Sequence, residues 1–237
     1  MTTPEQNQTS LMCFEQARTE HTNNMKKYNG ICADITRCEK ERQAAIEAGK
    51  EAETNWRTRF RNLRGNLTDE LRAEHSQRIA SRELAEEFTG LLTELELDKQ
   101  AAMLGCCASA KEYTESHRDA FNEFADMNWE SALRHVSPKL LWAIRLRLQR
   151  EKVNPRQDNE QSDMEVVAAL VGDALTRAAA ALPEKVLREA PLLDNIGLWR
   201  PALTGLDIEL MRSPAKRTRL ALSIREQRGE KQEVKQK

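Results

Sequence analysis

The triplet His117-Arg118-Asp119 matches the opening of a kinase catalytic loop, where the aspartate takes a proton from an attacking hydroxyl. That chemistry also needs a magnesium-binding Asn at a set distance downstream, and the sequence lacks it. Zinc is no better served. Cys32 and Cys38 lie six residues apart, too far for a chelating pair, and His21, His75, His117 and His135 are scattered. No glycine-rich phosphate loop, zinc-protease helix motif or nucleophile elbow occurs. Cys106 and Cys107 are neighbours, and a bridge between adjacent cysteines is strained. With five cysteines and no disulfide framework, the expectation is a reducing cytoplasm, with the thiols serving as small helix-packing groups. Neither an enzyme, a cofactor nor a metal site is expected.

The remaining chemistry is that of recognition. From Arg212 onward nine Lys/Arg stand against three acids, a net +6, while the whole chain carries −1 and residues 1–211 therefore carry −7. An acidic body thus bears a basic C-terminal arm, with Arg212, Pro214, Lys216, Arg217, Arg219 and Arg225 as the candidate partner-binding set. Phosphate contacts alone could draw such an arm to nucleic acid. Aromatic side chains for base stacking are absent from it, and Leu220, Leu222 and Ile224 make its start amphipathic, so an acidic protein surface is the better partner. Trp142 beside Arg145 pairs two residue types common at interface anchors, although core packing is the favoured role. Tyr113, His117 and Phe121 share the apolar side of one helical pattern and read as a helix interface holding a hydrogen-bonded histidine.

These side chains must be carried by helices. Charged residues make up 32% of the 237 positions and aromatics 5%, a composition for long helices with narrow apolar seams. No stretch alternates as a strand does, so the fold class is all-α. From Leu11 a seven-residue spacing gives two seams: Leu11, Arg18, Met25, Cys32, Glu39, Ile46, and Phe14, His21, Tyr28, Ile35, Arg42. Gly49 weakens or ends this helix, and Gly65 ends the next stretch, with Asn66 or Thr68 as the following cap. Leu67 to about Asp126 reads as one helix or two collinear ones, on the order of 80–90 Å long. Ser137-Pro138 starts a further helix, a polar linker spans 153–163, and Ser162 with Glu165 forms a capping box. The helix after it, through Val166, Val167, Leu170, Val171, Leu175 and Leu182, is the most apolar and the best candidate for full burial. Asp173 and Arg177 interrupt it, so it is no membrane span, and the polar opening MTTPEQNQTS is no signal peptide.

Pro183 starts a short helical turn that Pro191 stops. The stretch DNIGLWRPALTG, Asp194 to Gly205, breaks the helical pattern. Gly197 allows a left-handed residue, Pro201 forbids a continuous helix, and Trp199 is expected to pin the turn to the body. Gly197, Trp199, Arg200 and Pro201 then form a turn that aims the basic helix beginning at Ser213-Pro214 away from the acidic body.

Four local patterns in this order resemble the polarity suppression proteins of satellite bacteriophages, the Psu family. YTESH (Tyr113, Ser116, His117) is similar to that family's Tyr-x-x-Ser-His. SPKL (Pro138, Leu140) is similar to Ala-Pro-x-Leu. IGLWRP (Ile196, Gly197, Arg200, Pro201) is similar to Ile-Gly-Phe-Arg-Pro, with Leu198-Trp199 replacing the Phe. SPAKRTRLALSIREQ, through Pro214 and Ala215, is similar to a Thr-Pro-Ala helix start. The likeness runs from about residue 90 to 228, and this chain is longer at its N-terminal side.

The resemblance implies an intertwined all-helical homodimer and two binding roles. One is inhibition of the hexameric transcription terminator Rho, through the segment from Pro214, whose side chains here are more basic. The other is decoration and stabilisation of the phage capsid exterior through the major capsid protein. It places the chain in the bacterial cytoplasm and on the virion capsid surface. The expected organisation is a flexible tail at 1–9, N-terminal amphipathic helices at 10–64, a Psu-like helical domain at 65–228 and a basic tail at 229–237. The alternative is a coiled-coil scaffold or assembly protein without Rho activity. Membrane association and direct nucleic-acid binding are not expected.

Overall fold

Two helices account for most of the chain, because neither meets a residue able to stop it for about sixty positions. In the computed structural model, which describes residues 4–153, 162–187 and 190–235, α1 is Pro4–Asn62 and α2 is Asp69–Arg134. The following elements are α3 (Pro138–Val153), α4 (Asp163–Ala180), α5 (Glu184–Leu187), α6 (Pro191–Ile196), α7 (Ile208–Arg212) and α8 (Pro214–Lys235). The fold is all-α, with no strand among the described residues. No helix among them is long and apolar enough to cross a membrane. Part of the 153–163 linker, and the extreme ends of the 1–9 and 229–237 segments, lie outside the described residues.

Helix ends follow local chemistry. α1 runs through Gly49, where a Cβ would meet Ser81 Cβ at 3.6 Å. It stops at a Schellman motif: Gly65 N–H donates to the Phe60 carbonyl and Arg64 N–H to that of Arg61, both at 3.0 Å. The left-handed position of that motif is Arg64, φ 49°, with Gly65 next at φ 85°. Thr68 caps α2 by accepting from Leu71 N–H at 3.3 Å, and Ser137 caps α3 by accepting from Leu140 N–H at 3.1 Å. Ser162 and Glu165 form the reciprocal capping box of α4. Pro191 does not simply halt a helix. It occupies the first turn of α6, where its missing N–H costs nothing.

The chain packs as two units, each assembled from pieces distant in sequence: Met1–Glu15 with Thr114–Ala202, and Gln16–Tyr113 with Leu203–Lys237. In the second unit, α1 and α2 run antiparallel. His21 meets Ser109 and Tyr113, Ile35 and Cys38 cluster with Leu92, and Trp56 meets His75. At the bend, Trp56 stacks on Phe60 at 5.1 Å, Arg78 covers its ring at 5.0 Å, and Arg59 bridges Glu70 and Glu74.

The buried face of α1 differs from the expected one along one seam. His21 and Ile35 are buried, but the neighbouring seam is Ala17, Ile31, Cys38 and Ala45, while Arg18 and Glu39 face solvent. Alanine and cysteine let the two backbones approach closely, whereas burying Arg18 or Glu39 without a partner would cost several kcal/mol, roughly. On α2 Leu71, Cys106, Cys107 and Ala110 are almost wholly enclosed.

In the first unit α3 packs on α4. The expectation that α4 is fully buried is corrected. Only Val167 is buried, and Leu170, Leu175 and Leu182 are about half exposed. The α3 contact covers one face of α4, and an apolar composition does not supply a second covering element.

Candidate functional site

Within the first unit, the conspicuous turn is held from α2. Leu193 and Ile196 of α6 are buried, and Gly197 follows at φ 83°, ψ 147°, backbone that suits only glycine. The Gly197 carbonyl accepts from His117 Nε2 at 3.4 Å. The His117 ring lies edge-on to Phe14 (5.8 Å between centroids) and stacks with Phe121 (6.2 Å). The turn is thus fixed by apolar burial plus one side-chain-to-backbone hydrogen bond. Trp199, expected to pin it, is 76% exposed. Arg200 is also exposed and Pro201 half-buried.

Within the second unit, the basic C-terminal helix folds back and does not extend away. Cys107 Sγ contacts the Asp207 carbonyl at 3.8 Å, Ile224 is buried, and Arg228 bonds Asp98 of α2 at 2.5 Å. α8 therefore lies antiparallel to α2. The short helix α7, capped by Asp207 accepting from Leu210 N–H at 2.9 Å, connects the turn to it. Burial of Ile224 holds α8 there, and the exposed Arg228–Asp98 pair adds little.

That docking divides the candidate basic residues. Lys216 Nζ donates to Glu209 at 2.6 Å, and the carboxylate raises the lysine pKa. Arg217 donates to the Leu210 and Met211 carbonyls at the end of α7, a favourable place for a cation. Arg212, Arg219 and Arg225 are exposed, as is Pro214 at the helix start. Of the predicted interface trio, His117 is buried, while Tyr113 and Phe121 are half-buried. Tyr113 stacks on His21 at 5.7 Å in the second unit.

Ser109 and His21 form a Ser–His pair whose geometry opposes catalysis. Ser109 Oγ donates to the Cys106 carbonyl, so it must accept from His21 Nδ1–H at 3.2 Å. Both side chains are buried, and burial lowers the His21 pKa. A groove of about 490 Å³ between α1 and α2 is lined by Lys50, Glu53, Arg78, Arg82, Glu83 and Glu86, without a cysteine or histidine. Among the described residues no group of three His, Cys, Asp or Glu could hold a metal ion.

What remains is exposed apolar surface. Trp129, Leu141, Trp142, Leu146 and Val153 of α2 and α3 are all about half exposed or more. Trp142 is 63% exposed and so is not a core residue. Sequence periodicity finds such residues but cannot tell a seam used within the chain from one used between chains.

Two comparisons match this arrangement. Over 222 residues the chain is 28% identical to Glycoprotein 3 of Enterobacteria phage P4, covering 91% of this chain and 90% of that protein. In three dimensions it is similar to a chain from the satellite phage P4 procapsid including the size determination (Sid) protein. The TM-score is 0.77 and the identity 28%, covering 96% of this chain and 98% of that one. The chain is related to a satellite-phage protein. No family model matches it. The satellite-phage origin and the capsid association implied by the polarity-suppression resemblance have counterparts in these matches. Polarity suppression itself and Rho have none.

Proposed function

We propose that this chain is a non-enzymatic capsid-assembly protein that binds the major capsid protein and sets the size of the procapsid shell. The carrying observation is the near full-length similarity to a chain of a procapsid containing a size determination protein. The structure supports the reading through what it offers a partner: long helices and exposed Trp129, Trp142 and Trp199, all residue types of binding surfaces. Its place is the capsid surface in the infected cell. Self-association belongs to the same reading, since α3 and α4 leave apolar side chains uncovered in the single chain. The test is co-expression with the major capsid protein, with particle diameters measured by electron microscopy. Shells of altered diameter carrying the chain are expected. Shells of unchanged diameter that lack it would sink the proposal.

Rho antagonism is the second reading. It rests on the sequence resemblance and on Arg212, Arg219 and Arg225, which are exposed and make no ion pair among the described residues. Its test is RNA-dependent ATP hydrolysis by Rho. An unchanged rate with excess protein removes it.

A further inference from the structure

Helices α7 and α8 are tied to each other more firmly than to the helices beneath them. Arg217 of α8 donates to the Leu210 and Met211 carbonyls at the end of α7, and Lys216 Nζ donates to Glu209 at 2.6 Å. At the corner, Ser213 Oγ accepts from Lys216 N–H at 3.3 Å. These bonds fix the corner from within. The hold on α1 and α2 is of another kind. Leu210 and Ile224 are the buried side chains of α7 and α8 among the described residues. The polar ties are the long contact of Cys107 Sγ with the Asp207 carbonyl, 3.8 Å, and the exposed Arg228–Asp98 pair. A thiol is a weak donor and an exposed ion pair contributes little. The segment enters through Gly205, φ 75°, a backbone suited to a hinge.

Two adjacent thiols face different neighbours of α2. Cys106 and Cys107 are both fully buried. Cys106 shares a helix face with Ser109 and Tyr113, three and seven residues on, and both of those meet His21 of α1. Cys107 is turned roughly 100° from Cys106 and meets Asp207 at the start of α7. Separation of α1 from α2 therefore uncovers Cys106, while departure of α7 and α8 uncovers Cys107.

We propose that Leu206 to Arg228 form a strap that swings off α1 and α2 as one body while those two helices stay paired. Such an opening loses fewer apolar contacts than global unfolding and so costs less. Closed, the strap offers a partner Arg212, Arg219 and Arg225 and covers its apolar row, Leu210, Leu220 and Ile224. Open, it presents that row beside the cations, so the opening sets a partner's access to the arm.

The experiment is iodoacetamide labelling of the folded full chain at increasing, sub-denaturing urea, with each cysteine read by peptide fragment masses. Cys107 is expected to label at least about tenfold faster than Cys106, with a shallower dependence on urea, because strap opening exposes less surface. Ile224→Ala lies seventeen residues along the strap from Asp207. It should speed Cys107 labelling by about tenfold or more. Ile35→Ala, in the α1–α2 cluster, should speed Cys106 and leave Cys107 unchanged, because it weakens the closed and open forms alike. Labelling of both thiols at one rate, with one urea dependence, would mean that the strap leaves only when the whole unit unfolds, and would overturn the proposal. So would a Cys107 rate indifferent to Ile224→Ala, since the strap would then not move as one body.

Discussion

His117 and Gly197, eighty residues apart in sequence, are joined by one hydrogen bond, from the imidazole Nε2 to the glycine carbonyl at 3.4 Å. It ties the turn after α6 to α2 through a buried side chain. The glycine is required by its backbone and the histidine by its reach, so the two positions act as one latch.

Gly197→Ala forces a Cβ into φ 83°, ψ 147° and should destabilise the protein by about 1–3 kcal/mol. His117→Ala removes the donor and leaves space between Phe14 and Phe121, at a cost of about 2–4 kcal/mol. Chemical denaturation measures both. In the double variant the losses should sum to less than their total, because each breaks the same latch. Strict additivity would show that the hydrogen bond contributes nothing.

Acid should weaken the α1–α2 pairing through His21. Burial lowers its pKa from 6.5, so the folded chain holds it neutral while the unfolded chain protonates it readily. The stabilisation is complete above pH 6.5 and is lost as pH falls through the lower folded value. Thermal melts of wild type and His21→Gln between roughly pH 7.5 and pH 5 test this. Wild type should lose more melting temperature than the variant, and parallel losses would exonerate His21.

Two backbone positions are open to improvement. Gly49→Ala adds a contact to Ser81 at ordinary distance within a helix interior and should stabilise by up to about 1 kcal/mol. Arg64→Gly relieves a left-handed residue, φ 49°, and should stabilise by a similar amount, about 1 kcal/mol. A fall in denaturation midpoint for either would contradict the close-packed helix or the Schellman geometry respectively.

Docking of α8 depends on its apolar face more than on its charges. Ile224→Ala should cost about 2–4 kcal/mol, whereas Leu222→Ala, on the exposed side, should stay within about 0.5 kcal/mol. The exposed Arg228–Asp98 pair is worth less than about 1 kcal/mol. Equal effects at 222 and 224 would mean that α8 does not rest on the face described.

Trp199→Ala should leave stability within about 0.5 kcal/mol of wild type, given its exposure, while weakening capture by assembled shells. Unchanged stability together with unchanged capture would leave Trp199 without a role in binding.

The helices were legible because their signals are local. Ser137-Pro138, Ser162 with Glu165, and Ser213-Pro214 mark starts with side chains that satisfy the free N–H groups beside them, and each caps the helix it announces. The short helix α7 was missed, although Asp207 supplied its capping residue. The seam of α1 was misread at Arg18 and Glu39 because a heptad count weighs spacing, while burial also weighs the cost of moving a charge from water.

By itself the sequence determined an all-helical chain, the long second helix, the break at Gly65 and the positive-φ glycine at 197, all set by hydrogen bonds and backbone sterics within a few residues. Its charge balance alone argued for a projecting arm. Only the tertiary structure decided that α8 lies on α2, that Trp142 and Trp199 stay exposed, and that His117 reaches Gly197. Those outcomes depend on which surfaces meet across a hundred residues. A periodic apolar stripe is the same whether a helix of its own chain or of another covers it.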